Sequence, residues 1–237
     1  MALTRESSAE QGRRLFESCF LFQSLPPQQR QQILSYAHLR HFEAGETIFL
    51  MGAPGNAMMA VLSGEVRISA PSKEGKEIVL TILYPGEVFG EISVLDGGRR
   101  TADATAVMRC DIMVLERRDV LHFLEQNPEA YPSIMLLLCE KLRRTTEQVA
   151  EIFFLDMPGR LARTLLRLIE QRKAAASANV PLLLRRTQGE LANMIGGTRE
   201  SVNKCLGEWQ RRGLIRMKGG TIIIADKAAL GALARGR

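Results

Sequence analysis

The 237-residue chain has little of what builds metal, redox or haem sites. Its four cysteines, Cys19, Cys110, Cys139 and Cys205, form no Cys-x-x-Cys pair. That scatter argues against zinc spacing, an iron–sulfur cluster or a disulfide framework, and predicts reduced structural or surface thiols with no bound metal. Histidine occurs only as His38, His41 and His122, which argues against a haem sensor. His38 and His41 are three apart, but Phe42-Glu43-Ala44-Gly45 follows and predicts a helix that is ending, so a solvated pair is expected. No apolar run approaches the ~20 residues a membrane span needs. The segment Met1–Glu10 is polar and lacks a signal-peptide apolar core, which predicts a cytoplasmic protein. No nucleophile–base constellation, metal-ligand cluster or Walker glycine loop is present, so an enzyme is not expected.

What is present is a globular composition, 46% hydrophobic and 24% charged, long enough for one large or two ordinary domains. The charge is unevenly placed. Residues 157–237 carry 16 Lys/Arg against 5 Asp/Glu, a net of +11, while residues 1–156 carry 16 against 21, a net of −5. The C-terminal third therefore suits a polyanionic partner and the rest does not.

Along the chain, Leu15, Phe16, Cys19, Phe20 and Phe22 recur at helical spacing. Ser24-Leu25-Pro26-Pro27 breaks that helix, and a second is predicted from about Pro26 to Leu39, with Ser24 as its cap. From residue 40 to 127 short apolar runs alternate with glycine: 47–51, 58–62, 66–69, 78–83, 102–107 and 111–115, with turns at Gly52, Gly55, Gly64, Gly75 and Gly86. This is the pattern of an antiparallel barrel or sandwich. Met51, Met58 and Met59 are expected to fill its core.

Between two of these strands lies Gly90-Glu91-Ile92-Ser93-Val94-Leu95-Asp96-Gly97-Gly98-Arg99-Arg100-Thr101-Ala102. It is predicted to be a loop. Glycines let backbone N–H groups approach an anion, arginine offers a planar fork to phosphate, and a carboxylate accepts from sugar hydroxyls. The combination suits a small phosphate ester of a sugar, held at the mouth of a barrel.

Tyr131, Met135, Leu138, Leu142, Thr145, Val149 and Ile152 are spaced 4, 3, 4, 3, 4, 3. This a/d seam over about three heptads implies a parallel dimeric coiled coil, with packing on its own domain as the alternative. Thr145, with Thr146 beside it, is the polar seam position. Asp156 is placed to cap a helix that carries Leu161, Leu165, Leu168 and Ile169 with Arg160, Arg163 and Arg167. Ala174–Asn179 reads as a small-residue loop. Thr187 and Glu190 form a capping box for a helix burying Leu191, Met194 and Ile195. After Gly196-Gly197, Thr198 caps a second helix with Val202, Leu206 and Trp209 inward and Arg199, Glu200, Ser201, Asn203 and Lys204 near its exposed start. A hairpin around Gly219-Gly220 follows, carrying Lys218. This is a winged helix-turn-helix.

Phe89-Gly90-Glu91-Ile92-Ser93 with Arg99-Arg100-Thr101-Ala102 resembles the phosphate-binding cassette of cyclic-nucleotide-binding domains. Thr198-Arg199-Glu200-Ser201-Val202 resembles the recognition helix of the bacterial cyclic-AMP receptor protein / fumarate-nitrate regulator family, in its cyclic-AMP receptor branch. The resemblance runs from about Leu15 to Ala225 in the same module order. It implies an α+β fold: a jelly-roll-like, cyclic-nucleotide-binding β-barrel over 1–127, a dimerisation helix and hinge over 128–156, and a winged helix-turn-helix over 157–237. It implies that Glu91 accepts from the ribose 2′-hydroxyl and that Arg100 pairs with the cyclic phosphate, with Arg99 exposed. Thr101 and the backbone N–H groups of Gly90 to Ile92 add donors to the phosphate, and Ser93 and Ala102 belong to the same binding set. Lys141 is expected to reach Glu91, and Thr145-Thr146 to meet the purine from both subunits. Cyclic AMP is the expected ligand and cyclic GMP a second one, since Thr101 resembles the threonine of cyclic-GMP sites.

On the DNA side the resemblance implies base contacts from Arg199, Glu200 and Lys204, supported by Thr187, Gln188, Thr198, Ser201, Asn203 and Lys218. Lys204 stands where the family often has arginine, so a forked guanine contact becomes a point charge. The expected target is a palindrome of TGTGA-like half-sites bound by a homodimer, and RNA polymerase is the further partner of such an activator. A regulator of the same fold with another effector, or none, is the alternative.

Overall fold

The computed structural model describes residues 25–72, 77–175 and 183–236. The expected helix at Leu15–Phe22, its successor's cap Ser24, the Gly75 turn and most of the Ala174–Asn179 loop lie outside them. The described residues form two compact units. One comprises the chain up to Ala70 with Thr81–Leu142, and the other Pro71–Leu80 with the chain from Arg143 onward.

The first unit opens on α1 (Pro27–Tyr36), with proline in its first turn, where a missing N–H costs nothing. It is shorter than expected, because β1 (His38–Phe42) follows at once. His38 and His41 therefore sit on a strand, and His41 Nδ1 lies 2.6 Å from Asp111 Oδ1 across the β1–β8 ladder. Then come β2 (Thr47–Phe49), β3 (Ala57–Ser63), β4 (Val66–Pro71), β5 (Glu77–Leu83) and β6 (Val88–Phe89). After them come α2 (Glu91–Asp96), β7 (Asp103–Ala106), β8 (Cys110–Glu116) and α3 (Arg117–Gln126). The strands form two four-stranded sheets, ordered β1-β8-β3-β6 and β2-β7-β4-β5, with antiparallel pairing as expected for a double-sheet jelly roll.

Side chains on a strand alternate between faces, so a strand covered on both sides reads as a continuous apolar run. Ala57, Met59 and Val61 of β3 and Cys110, Ile112 and Val114 of β8 face the core shared by the two sheets. Met58, Ala60, Leu62 and Leu115 face a second core made with Ile33, Phe123, Leu124 and Leu137 from the helices. Met58 and Met59 are core residues as expected, but Met51 is exposed: β2 ends at Phe49 and Met51 belongs to the following turn.

A 3-10 turn (Pro128–Ala130) leads into α4 (Tyr131–Phe154). The face that α4 buries carries Ser133, Ile134 and Leu137. The heptad positions Tyr131, Met135, Leu138, Leu142, Val149 and Ile152 are all exposed, as are Phe153 and Phe154.

In the second unit, Asp156 caps α5 (Met157–Ala175), accepting from the Gly159 amide at 2.8 Å. Leu161, Leu165, Leu168 and Ile169 are its buried face. Its arginines are engaged internally: Arg163 and Arg167 pair with Glu151, and Arg160 donates to the carbonyls of Leu155 and Ile195. Next come β9 (Leu183–Arg185), α6 (Gln188–Ile195), α7 (Arg199–Arg211), β10 (Ile215–Lys218), β11 (Thr221–Ile224) and α8 (Lys227–Leu233). Leu191, Ala192 and Ile195 are the buried side of α6, with Met194 only half-buried. The wing turns at Gly219 (φ 54°) and Gly220 (φ 74°), two successive left-handed residues as a tight hairpin requires. It gains a third strand, because β9 pairs with β11.

Candidate functional site

The stretch 90–102 is part helix. Strand β6 ends at Phe89, Gly90 takes φ 74°, and Glu91–Asp96 winds as α2 before the chain returns to Arg100. Only glycine serves at position 90. A Cβ there would lie 2.5 Å from Arg100 Nη1 and 3.2 Å from the Ala57 carbonyl, in a conformation that side chains rarely adopt. This close approach brings Glu91 (2% exposed) and Arg100 (5% exposed) together beneath one backbone turn.

Arg100 is held by neutral groups. Nη1 donates to the Gly90 carbonyl and to Ser93 Oγ, both at 2.9 Å, and Nη2 donates to the Ala57 carbonyl at 2.7 Å. The guanidinium lies over the Phe49 ring, 4.2 Å from its centroid. Burial pushes its pKa down, and the carboxylates of Glu91 and Glu116 push it back up. Arginine stays cationic at neutral pH through such a shift, so the site presents a buried positive charge with no carboxylate ion-paired to it among the described residues. Glu91 is paired elsewhere: Lys141 Nζ is 2.9 Å from Glu91 Oε1 and also donates to the Val88 carbonyl at 2.8 Å.

Other residues expected at the cradle divide. Ser93 is buried against Arg100, so its hydroxyl serves the arginine. Ala102 is buried, while Ile92, Arg99 and Thr101 are exposed. Arg99 is tied to the Gly52 carbonyl at 2.7 Å. Thr145 and Thr146 belong to the second unit and are exposed there. Phe49 was not singled out from the sequence. Its only signal was an aromatic ring within the apolar run before Gly52.

In the second unit the Thr187 capping box forms as predicted: Thr187 Oγ1 accepts from the Glu190 amide and the Glu190 carboxylate accepts from the Thr187 amide. Thr198 accepts from the Ser201 amide and starts α7. Val202, Cys205, Leu206 and Trp209 anchor one side of α7, which leaves Arg199, Glu200, Asn203 and Lys204 exposed on the other. Burial pushes the Cys205 thiol up to about 11, so it is protonated and inert at neutral pH. Gln188 Nε2 donates to Asn203 Oδ1 at 3.1 Å and links the two helices. A groove of about 800 Å³ runs between the start of α6 and the wing, lined among others by Arg185, Arg186, Gln188 and Arg199. Arg185 and Arg186 were missed in the sequence because β9 is only three residues long.

A double-sheet domain with a buried arginine and carboxylate at a glycine turn, continued into a helix-turn-helix, defines a ligand-sensing DNA-binding protein. Comparison with known proteins agrees. Residues 39–127 match the model of the cyclic nucleotide-binding domain, and residues 159–233 that of the Crp-like helix-turn-helix domain. The chain is 32% identical over 215 residues to the CRP-like cAMP-activated global transcriptional regulator of Mycobacterium tuberculosis, covering 91% of this chain and 96% of that one. It is 33% identical over 216 residues to the cyclic AMP receptor protein of Thermus thermophilus, covering 91% and 97%. The solved structure of the c-di-GMP-responsive global regulator CLP of Xanthomonas campestris superposes with a TM-score of 0.73 at 25% identity, covering 84% and 99%. The chain belongs to the CRP/FNR family of transcription regulators, which are DNA-binding proteins and not enzymes.

Proposed function

We propose that this protein is a homodimeric transcription regulator gated by cyclic AMP, with cyclic GMP as a second ligand. The observation that carries this reading is the buried Arg100 cation, held only by neutral acceptors one turn from the buried carboxylate of Glu91. In this reading Arg100 takes the cyclic phosphate and Glu91 the ribose 2′-hydroxyl, with Thr101 and the amides of Gly90–Ile92 adding donors. Lys141 sets the Glu91 carboxylate. Segment 1–127 binds the nucleotide, 128–156 dimerises and 157–237 meets DNA. The exposed seam of α4 supports a dimer, since leaving Met135, Leu142, Val149 and Ile152 in water is unfavourable. Thr145 and Thr146 of both subunits would then face the base, and a ligand preferring one dimer geometry would shift the recognition helices. RNA polymerase is the further partner this reading implies.

Calorimetry with each nucleotide tests the ligand. The wild type is expected to release heat with cyclic AMP and to bind cyclic GMP more weakly. Thr101→Ala is expected to lose cyclic GMP preferentially. No heat with either nucleotide would overturn the proposal.

Binding to palindromic DNA with TGTGA-like half-sites tests the second unit. At fixed salt, Arg199→Ala and Lys204→Ala are each expected to cost about 1–3 kcal/mol on the cognate palindrome. On unrelated duplexes the loss should be much smaller. Equal losses on every sequence would mean phosphate contact and no base reading.

A further inference from the structure

We infer that Phe49 and Ser93 are positioning residues for Arg100, presetting its guanidinium so that the charge is offered to a ligand phosphate without rearrangement. The inference rests on the nucleotide reading above and extends it to Phe49, which that reading does not use, and to the Ser93 side chain, which accepts from the arginine.

An arginine side chain has many rotamers, and ordering it on binding would weaken the ligand's hold. Here the ordering is already done. The planar group is fixed edgewise by the Gly90 and Ala57 carbonyls and by Ser93 Oγ, and facewise by the Phe49 ring at 4.2 Å. Each holder is itself held. Phe49 packs on Phe89, centroids 5.8 Å apart at 32°, and Phe89 is buried in the inter-sheet core. Ser93 Oγ donates to the Gly90 carbonyl at 3.3 Å. Its rotamer is hemmed in by Gly55, where an added Cβ would come within 2.1 Å of both Ser93 Cβ and Oγ.

All four holders are uncharged, and that distinguishes positioning from neutralisation. A carboxylate in place of Ser93 would fix the fork equally well and cancel the charge the ligand needs. An aromatic face attracts the cation through its quadrupole without cancelling it. The arginine Nε is buried with no acceptor among the described residues, so a ligand oxygen reaching it would meet an unspent donor. The competing explanation is that Phe49 only fills the edge of the core, where any apolar residue of similar volume would serve.

The test compares Phe49→Leu, Phe49→Tyr and Ser93→Ala in the full-length protein, using calorimetry with cyclic AMP and with adenosine, which lacks the phosphate. Phe49→Leu keeps the apolar volume and removes the ring face. It is expected to weaken cyclic AMP about tenfold and leave adenosine unchanged, while Phe49→Tyr stays within about twofold of wild type. Ser93→Ala is expected to cost cyclic AMP about fivefold, again sparing adenosine. Nitrogen-15 NMR of the arginine side chains in the ligand-free protein supplies a readout that needs no nucleotide. Arg100 should show slow rotation and ring-current-shifted Nη protons, lost in Phe49→Leu and kept in Phe49→Tyr. Unchanged affinity in both Phe49→Leu and Ser93→Ala, or equal losses for cyclic AMP and adenosine, would overturn the inference. So would averaged Arg100 signals in the wild type. A wild type that binds no nucleotide would remove the functional reading, and the NMR arm would still decide whether Arg100 is preset.

Discussion

Replacing Arg100 by alanine is expected to weaken cyclic-AMP binding about a thousandfold. The side chain can offer a phosphate two charge-assisted hydrogen bonds, each worth roughly 1.5–3 kcal/mol. Losing both amounts to about 4 kcal/mol, or about a thousandfold in Kd. Burial enlarges the effect, because at 5% exposure water does not screen or replace the charge. Arg100→Lys should recover little. Lysine carries the charge but not the fork that engages the Gly90 and Ala57 carbonyls, nor the plane that lies on Phe49. The measurement is calorimetry, with circular dichroism to verify that the fold persists. Affinity within tenfold of wild type in Arg100→Ala would assign the phosphate to another residue, and the neighbouring Arg99 would then be the one to substitute.

Truncating Trp209 to alanine is expected to cost about 3–5 kcal/mol of stability in the DNA-binding unit. Trp209 is the chain's single tryptophan, is 1% exposed and sits on the inward side of α7 with Val202, Cys205 and Leu206. Its carbonyl also accepts from the Leu214 amide at the turn into the wing. A domain stable by only 5–15 kcal/mol has little margin for that loss. The side chains meant to read DNA stand on the opposite side of the same helix, so losing the anchor should abolish DNA binding through disorder of α7. Nucleotide binding in the first unit should persist. Electrophoretic mobility shift and calorimetry on one preparation separate the two. Wild-type DNA affinity in Trp209→Ala would show that α7 is held in some other way.

Several features were legible before any coordinates because they depend on local chemistry. The Thr187–Glu190 capping box, the Thr198 cap and the Gly219-Gly220 turn each concern a few neighbouring residues, and all formed as the spacing predicted. The winged helix-turn-helix followed from them. The order of apolar runs and glycines was enough for a double-sheet domain, since β3 is buried on both faces and leaves an unbroken apolar stretch. Less legible were elements whose identity rests on a distant partner. His38–Phe42 became a strand because β8 pairs with it over five residues, overriding the helical reading of the two histidines. Strand β9 exists through its pairing with the wing. The spacing predicts a loop for the cassette, yet Glu91–Asp96 is helical, bracketed by Gly90 and Gly97, both in the left-handed region.

By itself the sequence determined the modules, their order and the basic third, and it singled out one carboxylate and one arginine as candidates. Those depend on spacing and composition, which survive without coordinates. Only the tertiary structure decided what holds the arginine. Phe49, Ala57, Gly90 and Ser93 are spread over 45 residues of chain from three strands' ends and one helix, and nothing in their spacing marks them as one set. Folding brings them around one guanidinium, whose buried Nη donors find neutral acceptors there. It also decided that Ser93 serves the arginine and that the heptad seam of α4 is the face this chain leaves exposed, while the Lys141–Glu91 contact formed as expected.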